Sequence, residues 1–578
     1  MTTIFFLVYL AHLFSSIGAC PLGCECDVSL IVTCTKLNLT DVPDDIPTDT
    51  KELYLDVNFI TILKNDSFSN LHGLTLLAIR FNQIHTIESG AFNNLTKLSH
   101  LYLDNNYISQ LSEDVFFPLL VINTVSLEYN NISTLWKFSS VSPLATLNLR
   151  YNKISFIESC TFVGLTNLKV LQLDRNNVST IEDRALEGLA HLQNLYLQHN
   201  ALISLPDSLF SCCTVIQLLD FSHNKIEELP DLTFLWNLTL LDSSHNDILY
   251  IDENAFTAQS RLQTLELQNN LLNSVPVLHS VVSLTTLDLE RNRISYVPDD
   301  AFHNKSNFRD LRLGYNLMKR IPEAVKGLTL QTLRLNGNPI VRVEANAFEG
   351  LNNLHRLQLD RMALIHLDEN AFLDLKQNQE PLSLFLNDNQ LQSLPGEIFS
   401  DLNIDIINLE DNLWSCDCAM CEYSHWLSNH NEIEKFDVTC VQPDQYLDIM
   451  LSEIHDTDDL ICELPVIVES SNYIEAVEGD SVMFPCNATG LPLPFIYWQT
   501  PHGHKISLET DMDDIMLLSN GTLILHNAAF SDCGIYSCVA INEAGEDVFN
   551  TTLLVVFDTI NTTQQQTVPV TSQGTSNA

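Results

Sequence analysis

The sequence predicts an α/β solenoid of stacked parallel strands, capped by disulfides and followed by a small all-β sandwich. Three observations predict it. A phrase of the form Leu-x-Leu-x-x-Asn-x-Leu returns every 22 to 27 residues from Leu53 onward. Cysteines flank that array, with Cys20, Cys24, Cys26 and Cys34 before it and Cys416, Cys418, Cys440 and Cys462 after it. Beyond them, Cys486 and Cys538 enclose Trp498 and Tyr536.

Residues 1–19 carry no charged side chain and hold an apolar run, Ile4 to Phe14, that ends in small residues before Cys20. The run is too short to span a bilayer, so residues 1–19 are expected to be a secretory signal. Ile17-Gly18-Ala19-Cys20 also fits a bacterial lipoprotein cleavage site, although the cysteine framework that follows needs Cys20. That framework, Cys20-x3-Cys24-x-Cys26-x7-Cys34, reads as two disulfides in an oxidising compartment. A zinc site is the alternative, but no matching His stands nearby.

Residues 50–412 form the array. The Asn slot falls at Asn58, Asn82, Asn106, Asn130, Asn152, Asn176, Asn200, Asn224, Asn246, Asn270, Asn292, Asn316, Asn338, Asn389 and Asn412, with Met362 breaking the series. Leu53 and Leu55 sit two apart, so on a short strand both face the interior. The Asn amide can satisfy backbone groups where the chain turns away from the strand. Ten residues later a Phe recurs, as at Phe68, Phe92, Phe116, Phe162, Phe210, Phe256, Phe302, Phe348, Phe372 and Phe399, and is expected to fill the convex side. The period and consensus are those of leucine-rich repeats. A concave sheet of sixteen strands, about 75 Å long, is expected. Met362 and the lengthened coil at Lys376–Pro381 predict a local bulge.

Residues 20–49 resemble the N-terminal cap of extracellular leucine-rich repeat proteins, which implies the pairs Cys20–Cys26 and Cys24–Cys34. Asn412-Leu-Trp-Ser-Cys-Asp-Cys418, with Trp426, Cys440 and Cys462, resembles the C-terminal cap of that family over 413–464. This resemblance implies Cys416–Cys440 and Cys418–Cys462, with Cys421 outside the pattern. Caps are needed because an open stack exposes its core at each end. In 465–557, the Cys486 and Cys538 pair, the inner Trp498 and a Tyr536 two residues before the second Cys mark an immunoglobulin sandwich of the I-set or C2 type. Residues 558–578 are Thr, Ser, Gln and Asn with little apolar content, and read as a disordered tail. After residue 19 no run of 18 apolar residues occurs, so no membrane span is expected.

The chain has 28 basic against 73 acidic residues, a net charge of −45. That balance argues against nucleic acid, which needs clustered Lys and Arg, and favours basic protein surfaces. Eleven Asn-x-Ser/Thr sites, at Asn38, Asn65, Asn94, Asn131, Asn177, Asn237, Asn304, Asn487, Asn520, Asn550 and Asn561, predict a glycoprotein. Ten of the 15 cysteines are taken up by the caps and sandwich; Cys160, Cys212, Cys213, Cys421 and Cys533 remain. Cys213 takes a slot held by Leu95 in an earlier repeat and reads as a buried thiol.

The two variable positions of each Leu-x-Leu-x strand face outward. There Asp220, Asp242, Glu266, Asp288 and Glu290 are followed abruptly by Arg312 and Arg334, and Tyr54, Tyr102, Tyr196 and Phe385 are aromatic anchors. The expected partner-binding set is Tyr196, the five acids and the two arginines, set against the plain alternative that a very acidic chain has acids everywhere. His199, His223 and His245 share one column. A metal site or pH switch is one reading; a flat packing surface, with Phe81, Tyr129, Tyr151 and Tyr315 in the same column, is the plainer one.

No His-Glu-x-x-His, phosphate loop or Gly-x-Ser-x-Gly occurs, so neither an enzyme nor a cofactor is expected. The order of modules resembles ectodomains of the leucine-rich repeats and immunoglobulin-like domains family, the LINGO type of neuronal surface protein, and the front half of peroxidasins. The resemblance implies a secreted or shed recognition protein acting in adhesion or receptor signalling. A structural matrix component, or an N-terminal fragment of a receptor regulator or matrix peroxidase, are the alternatives.

Overall fold

The computed structural model describes residues 20–556, apart from 139–141, 379, 431–433, 436–437, 455–459, 461, 509, 511–513 and 543. The expected signal, the tail and Asn561 lie outside the described residues. The chain divides into two compact units, one running to Ala363 with 371–385 and 402–405, the other made of 364–370, 386–401 and the chain from Ile406.

The first unit begins with a disulfide-tied hairpin. Glu25–Cys26 pairs antiparallel with Ile31–Thr33, and Cys20–Cys26 and Cys24–Cys34 are bonded. Ile31–Thr33 then pairs in parallel with Glu52–Tyr54, so the hairpin supplies the strand that covers the first repeat. From there the strands Leu76–Ala78, His100–Tyr102, Thr124–Ser126, Thr146–Asn148, Val170–Gln172 and Asn194–Tyr196 follow in unbroken parallel register. The series continues through Leu218–Asp220, Leu240–Asp242, Thr264–Glu266, Thr286–Asp288, Asp310–Arg312, Thr332–Arg334, Arg356–Gln358 and Leu382–Phe385.

Alternation decides what is inside. The central residue of each strand, such as Leu77, Leu219 and Leu287, is fully buried, while its two neighbours are mostly half-exposed. The Asn column locks coil to coil. Asn106 accepts the Ile84 N–H at 3.0 Å and donates to the Ile79 and Leu103 carbonyls at 2.9 and 3.0 Å. Asn270 repeats the arrangement with Ile248, Ser243 and Leu267. Each amide thus satisfies groups that would otherwise be buried unpaired, at about 1–3 kcal/mol apiece.

The residue before each Asn is left-handed, with φ of 55° at Phe81, 53° at Tyr129, 52° at His223 and 55° at Arg291. For a side chain other than Gly this costs about 1 kcal/mol or more. The Asn side chain that ties down the next position offsets it.

On the convex side Phe68, Phe92 and Phe116 stack with centroids 6.4 and 6.5 Å apart. The Asn130 repeat is two residues shorter and has no Phe at the expected place. Trp136 and Phe138 bridge the gap, reaching Phe116 at 5.9 Å and Phe162 at 6.1 Å. In the Asn224 repeat, also of 22 residues, Phe234 occupies the slot but is exposed. Shorter coils cut the corner that the phenyl ring fills elsewhere.

Met362 is buried, an apolar occupant of a hydrogen-bonding column. The long coil after it forms a 3-10 turn, Leu373–Gln377, and Asn378 donates to the Leu354 carbonyl at 2.9 Å.

The second unit carries the last rungs. Asn412 donates to the Leu386 and Leu409 carbonyls, and Trp414, fully buried, donates its indole N–H to Leu409 at 2.9 Å. Cys416–Cys440 and Cys418–Cys462 are bonded around the helix Cys421–Asn429. The sandwich follows. One sheet holds Tyr473–Val477, Gly545–Val556, Gly534–Asn542, Phe495–Gln499 and Lys505–Ile506; a second holds Val482–Phe484, Leu523–Leu525 and Ile515–Leu517; and Glu463–Ser470 pairs antiparallel with Cys486–Leu491. Cys486–Cys538 is bonded; Trp498, fully buried, donates to the Gly521 carbonyl at 2.9 Å. The Tyr536 hydroxyl donates to the Asp532 carbonyl at 3.1 Å, pinning the corner before the second cysteine.

Candidate partner-binding face

Because the register never slips, residues from successive repeats line up in rows. One row runs Tyr196, Asp220, Asp242, Glu266, Asp288, Arg312, Arg334. Seven of the eight residues expected to bind a partner are therefore neighbours, each about 4.8 Å from the next. The eighth, Glu290, stands two residues beyond Asp288 on the same outward face. Tyr54 and Tyr102 lie in this row further toward the N-terminus, and Phe385 at its other end.

The row splits electrostatically. Arg312 donates to Asp288 at 3.1 Å and to Asp310 at 2.6 Å, and Arg334 lies 3.8 Å from Glu290. Burial works against the Arg312 charge, but the hydrogen bonds and charges of Asp310 and Asp288 outweigh it and hold its pKa above the usual value. Asp288 is 4% exposed and already neutralised. Asp310 sits before the Leu-x-Leu core, outside the two variable slots of the strand, so the repeat pattern alone does not place it on this face.

Asp220, Asp242 and Glu266 have no ion-pair partner among the described residues. Asp220 accepts the Ser222 N–H and hydroxyl at 3.0 and 2.8 Å, and Asp242 accepts the Ser244 N–H at 3.0 Å. Burial, then the charge of Asp242, push the Asp220 carboxyl up to about 6. Burial, then the charge of Asp288, push Glu266 up to about 7. Burial also raises Asp288 and, with the Asp288 charge, Glu290. This is a strip of carboxyls raised first by burial and then by one another, bounded by Tyr196 on one side and by the anchored Arg312 and Arg334 on the other.

Beside it the left-handed column stacks. Tyr129 and Tyr151 lie 4.0 Å apart, and Arg175 covers Tyr151 at 5.2 Å. Arg175 also reaches the His199 ring nitrogen at 3.2 Å. His199, His223 and His245 are stacked at 4.2 and 4.0 Å. Burial, then neighbouring positive groups, lower the pKa of His199 and His223. Rings face to face along a column form a flat flank and do not converge their nitrogens on one point.

Metal-ligating groups come together among the described residues at Asp417, Cys418 and Cys462, but the disulfide consumes both thiols. Among the described residues no helix is long and apolar enough to cross a membrane. Nine of the sequon asparagines, Asn38, Asn65, Asn94, Asn131, Asn177, Asn237, Asn304, Asn487 and Asn520, are exposed or half-exposed, as is Asn550.

A second column was only partly legible. The slot filled by Leu71, Leu95, Leu165 and Leu351 holds Cys213, Gln259 and Lys305 in other repeats, all buried. Gln259 donates to the Leu232 carbonyl at 2.6 Å and Lys305 to the Leu278 carbonyl at 2.7 Å, each 27 residues back. Each polar group thus has an acceptor in the preceding coil.

Comparison with known proteins agrees with this architecture. The leucine rich repeat model matches residues 48–108, 73–132, 142–202, 190–248, 236–294, 282–340 and 328–380, together more than half of the chain. An immunoglobulin domain model matches 465–542. Mouse leucine-rich repeat and immunoglobulin-like domain-containing nogo receptor-interacting protein 3 is 30% identical over 154 residues, 25% of this chain and 25% of its own length. A zebrafish leucine-rich repeat and fibronectin type III domain-containing protein 1-like protein is 28% identical over 194 residues, 33% of this chain and 26% of its own. The matched stretches thus span about a quarter of these relatives. Among solved structures, the Drosophila Toll–Spatzle complex superposes with a TM-score of 0.58 at 21% identity, covering 74% of this chain and 57% of that one. The chain belongs to the leucine rich repeat family and carries an immunoglobulin domain after its repeats.

Proposed function

We propose that the chain is a secreted or shed extracellular recognition protein. Its partner is a protein with a basic surface, bound on the sheet face of the repeats through Tyr196, Asp220, Asp242, Glu266, Asp288, Glu290, Arg312 and Arg334. One observation supports the reading: Asp220, Asp242 and Glu266 lie one rung apart and have no ion-pair partner among the described residues. Like charges this close cost stability, and a Lys- or Arg-bearing loop laid along the row relieves that cost on binding. Asp288 and Glu290 then act by fixing Arg312 and Arg334, which accept acidic groups at one edge of the contact. Tyr196 supplies an aromatic anchor at the other edge.

In this reading residues 1–19 direct secretion, residues 20–49 and 413–464 cap the array of 50–412, and 465–557 form the immunoglobulin domain. Glycans occupy exposed sequon asparagines. The five disulfides support an oxidising compartment. The mouse relative is named as a receptor-interacting protein, which favours binding over catalysis for this chain too.

Two measurements test it. Expressed in secretory cells, the full chain is expected in the medium as a glycosidase-sensitive species; retention in membranes contradicts secretion. Screened against an array of extracellular domains, it is expected to bind one whose association slows steeply with added salt. A partner that binds with no salt dependence contradicts the acidic face.

A further inference from the structure

Away from the sheet face, Cys212 and Cys213 follow the buried Phe210 on the convex side. Cys213 is fully buried in the Leu slot described above, and Cys212 is half-buried. Their Sγ atoms lie 3.1 Å apart. Both thiols are directed at one acceptor, the Leu186 carbonyl, at 3.1 Å from Cys212 and 3.9 Å from Cys213. The two sulfurs therefore already converge, and a disulfide needs them to close to about 2.05 Å.

We propose that Cys212 and Cys213 form a reversible vicinal disulfide, a two-electron thiol–disulfide site on the convex side of the repeats. No third thiol competes within the array. Cys160, the other cysteine between residues 50 and 412, lies two coils away, about 10 Å along the stack. That exceeds the reach of a disulfide. The Cys160 thiol is instead directed at Glu187, 3.5 Å from it. The five disulfides elsewhere in the chain fit a compartment in which exposed thiols meet oxidants.

The chemistry divides between the two residues. The contact between the two sulfurs lowers the pKa of Cys212, whereas that same contact and burial raise that of Cys213. Cys212, the more exposed, is the attacking thiolate. The oxidant is a small disulfide such as oxidised glutathione. The Cys212 sulfur bonds to one glutathione sulfur, the glutathione S–S bond breaks, and one glutathione thiolate leaves. Cys213 then gives up its proton, attacks the Cys212 sulfur and expels the second glutathione thiolate. Two protons from the cysteines end on two glutathione thiols. The cysteines lose two electrons and one glutathione disulfide gains them. Adjacent Cα atoms are about 3.8 Å apart, shorter than the usual 4.4–6.8 Å of a disulfide. The ring is therefore strained and opens more readily than the other disulfides.

The test is peptide mass spectrometry of the full secreted chain, alkylated before any reductant is added. The expected result is a Cys212–Cys213 peptide two hydrogens lighter and unalkylated. It should open at a dithiothreitol concentration at least ten-fold below that needed for the five others. In Cys213→Ser, incubation with oxidised glutathione should leave a stable glutathione adduct on Cys212. Cys212→Ser should take up none. Alkylation of both cysteines in the untreated wild type, with no closure on adding oxidised glutathione, overturns the proposal. So does linkage of either cysteine to Cys160 or to another chain.

Discussion

Arg312 reaches across one rung of the sheet to Asp288, Nη1 to Oδ2 at 3.1 Å, while its other terminal nitrogen holds Asp310 at 2.6 Å. The arginine is thus a clamp within the sheet face as well as a candidate contact. Asp288 is only 4% exposed, so removing its partner leaves a buried, uncompensated carboxylate. Arg312→Ala is expected to destabilise the repeats by about 2–4 kcal/mol, read from urea unfolding. Arg312→Lys should recover only part, because an ammonium cannot fork between two carboxylates. An unchanged midpoint for Arg312→Ala would refute the clamp.

The raised carboxyls give a pH signature. Glu266, pushed up to about 7, and Asp220, to about 6, bind protons more tightly folded than unfolded. Their contribution is therefore fully present below the unfolded pKa near 4 and is lost as pH rises through 6 to 7. Glu266→Gln removes that loss. It should stabilise the protein by about 1 kcal/mol at pH 7.5, after allowing for solvent screening, and by nearly nothing at pH 4. Thermal unfolding of wild type and variant at both pH values checks it; equal shifts at both would contradict the assignment.

The rungs were legible in the sequence because each demands one residue type. Only an amide can accept the Ile84 N–H and donate to the Ile79 and Leu103 carbonyls at once. Asn106→Ala is accordingly expected to cost about 3 kcal/mol. The site was legible in part. The rigid register brings Tyr196, the acids and the arginines into one line, as their equivalent slots imply. What sequence could not tell is which acids are already paired. That depends on the reach of Arg312, which separates Asp288 from Glu266 although both occupy the same slot. The same limit hid Trp136 and Phe138, which replace a spine Phe from a different position in a shortened coil.

Lys305 places an ammonium in a slot built for Leu, and burial lowers its pKa. Its bond to the Leu278 carbonyl satisfies the nitrogen, but the charge remains expensive to bury. Lys305→Leu should be neutral or stabilising by up to about 2 kcal/mol, whereas Lys305→Ala should destabilise by leaving a void. If Leu were the more harmful of the two, the lysine would have a role beyond packing.

The central claim is that the unpaired acids bind a partner, and the choice of residues matters. Reversing Asp288 would disturb the Arg312 clamp, so the informative variant is Asp220→Lys, Asp242→Lys and Glu266→Lys together. The measurement is the affinity of wild type and triple variant for the extracellular domain the array identifies, at one ionic strength. A loss of at least ten-fold, with secretion and unfolding midpoint retained, is the predicted result. Equal affinity would mean that the acidic row only reflects composition, and would contradict the proposed face.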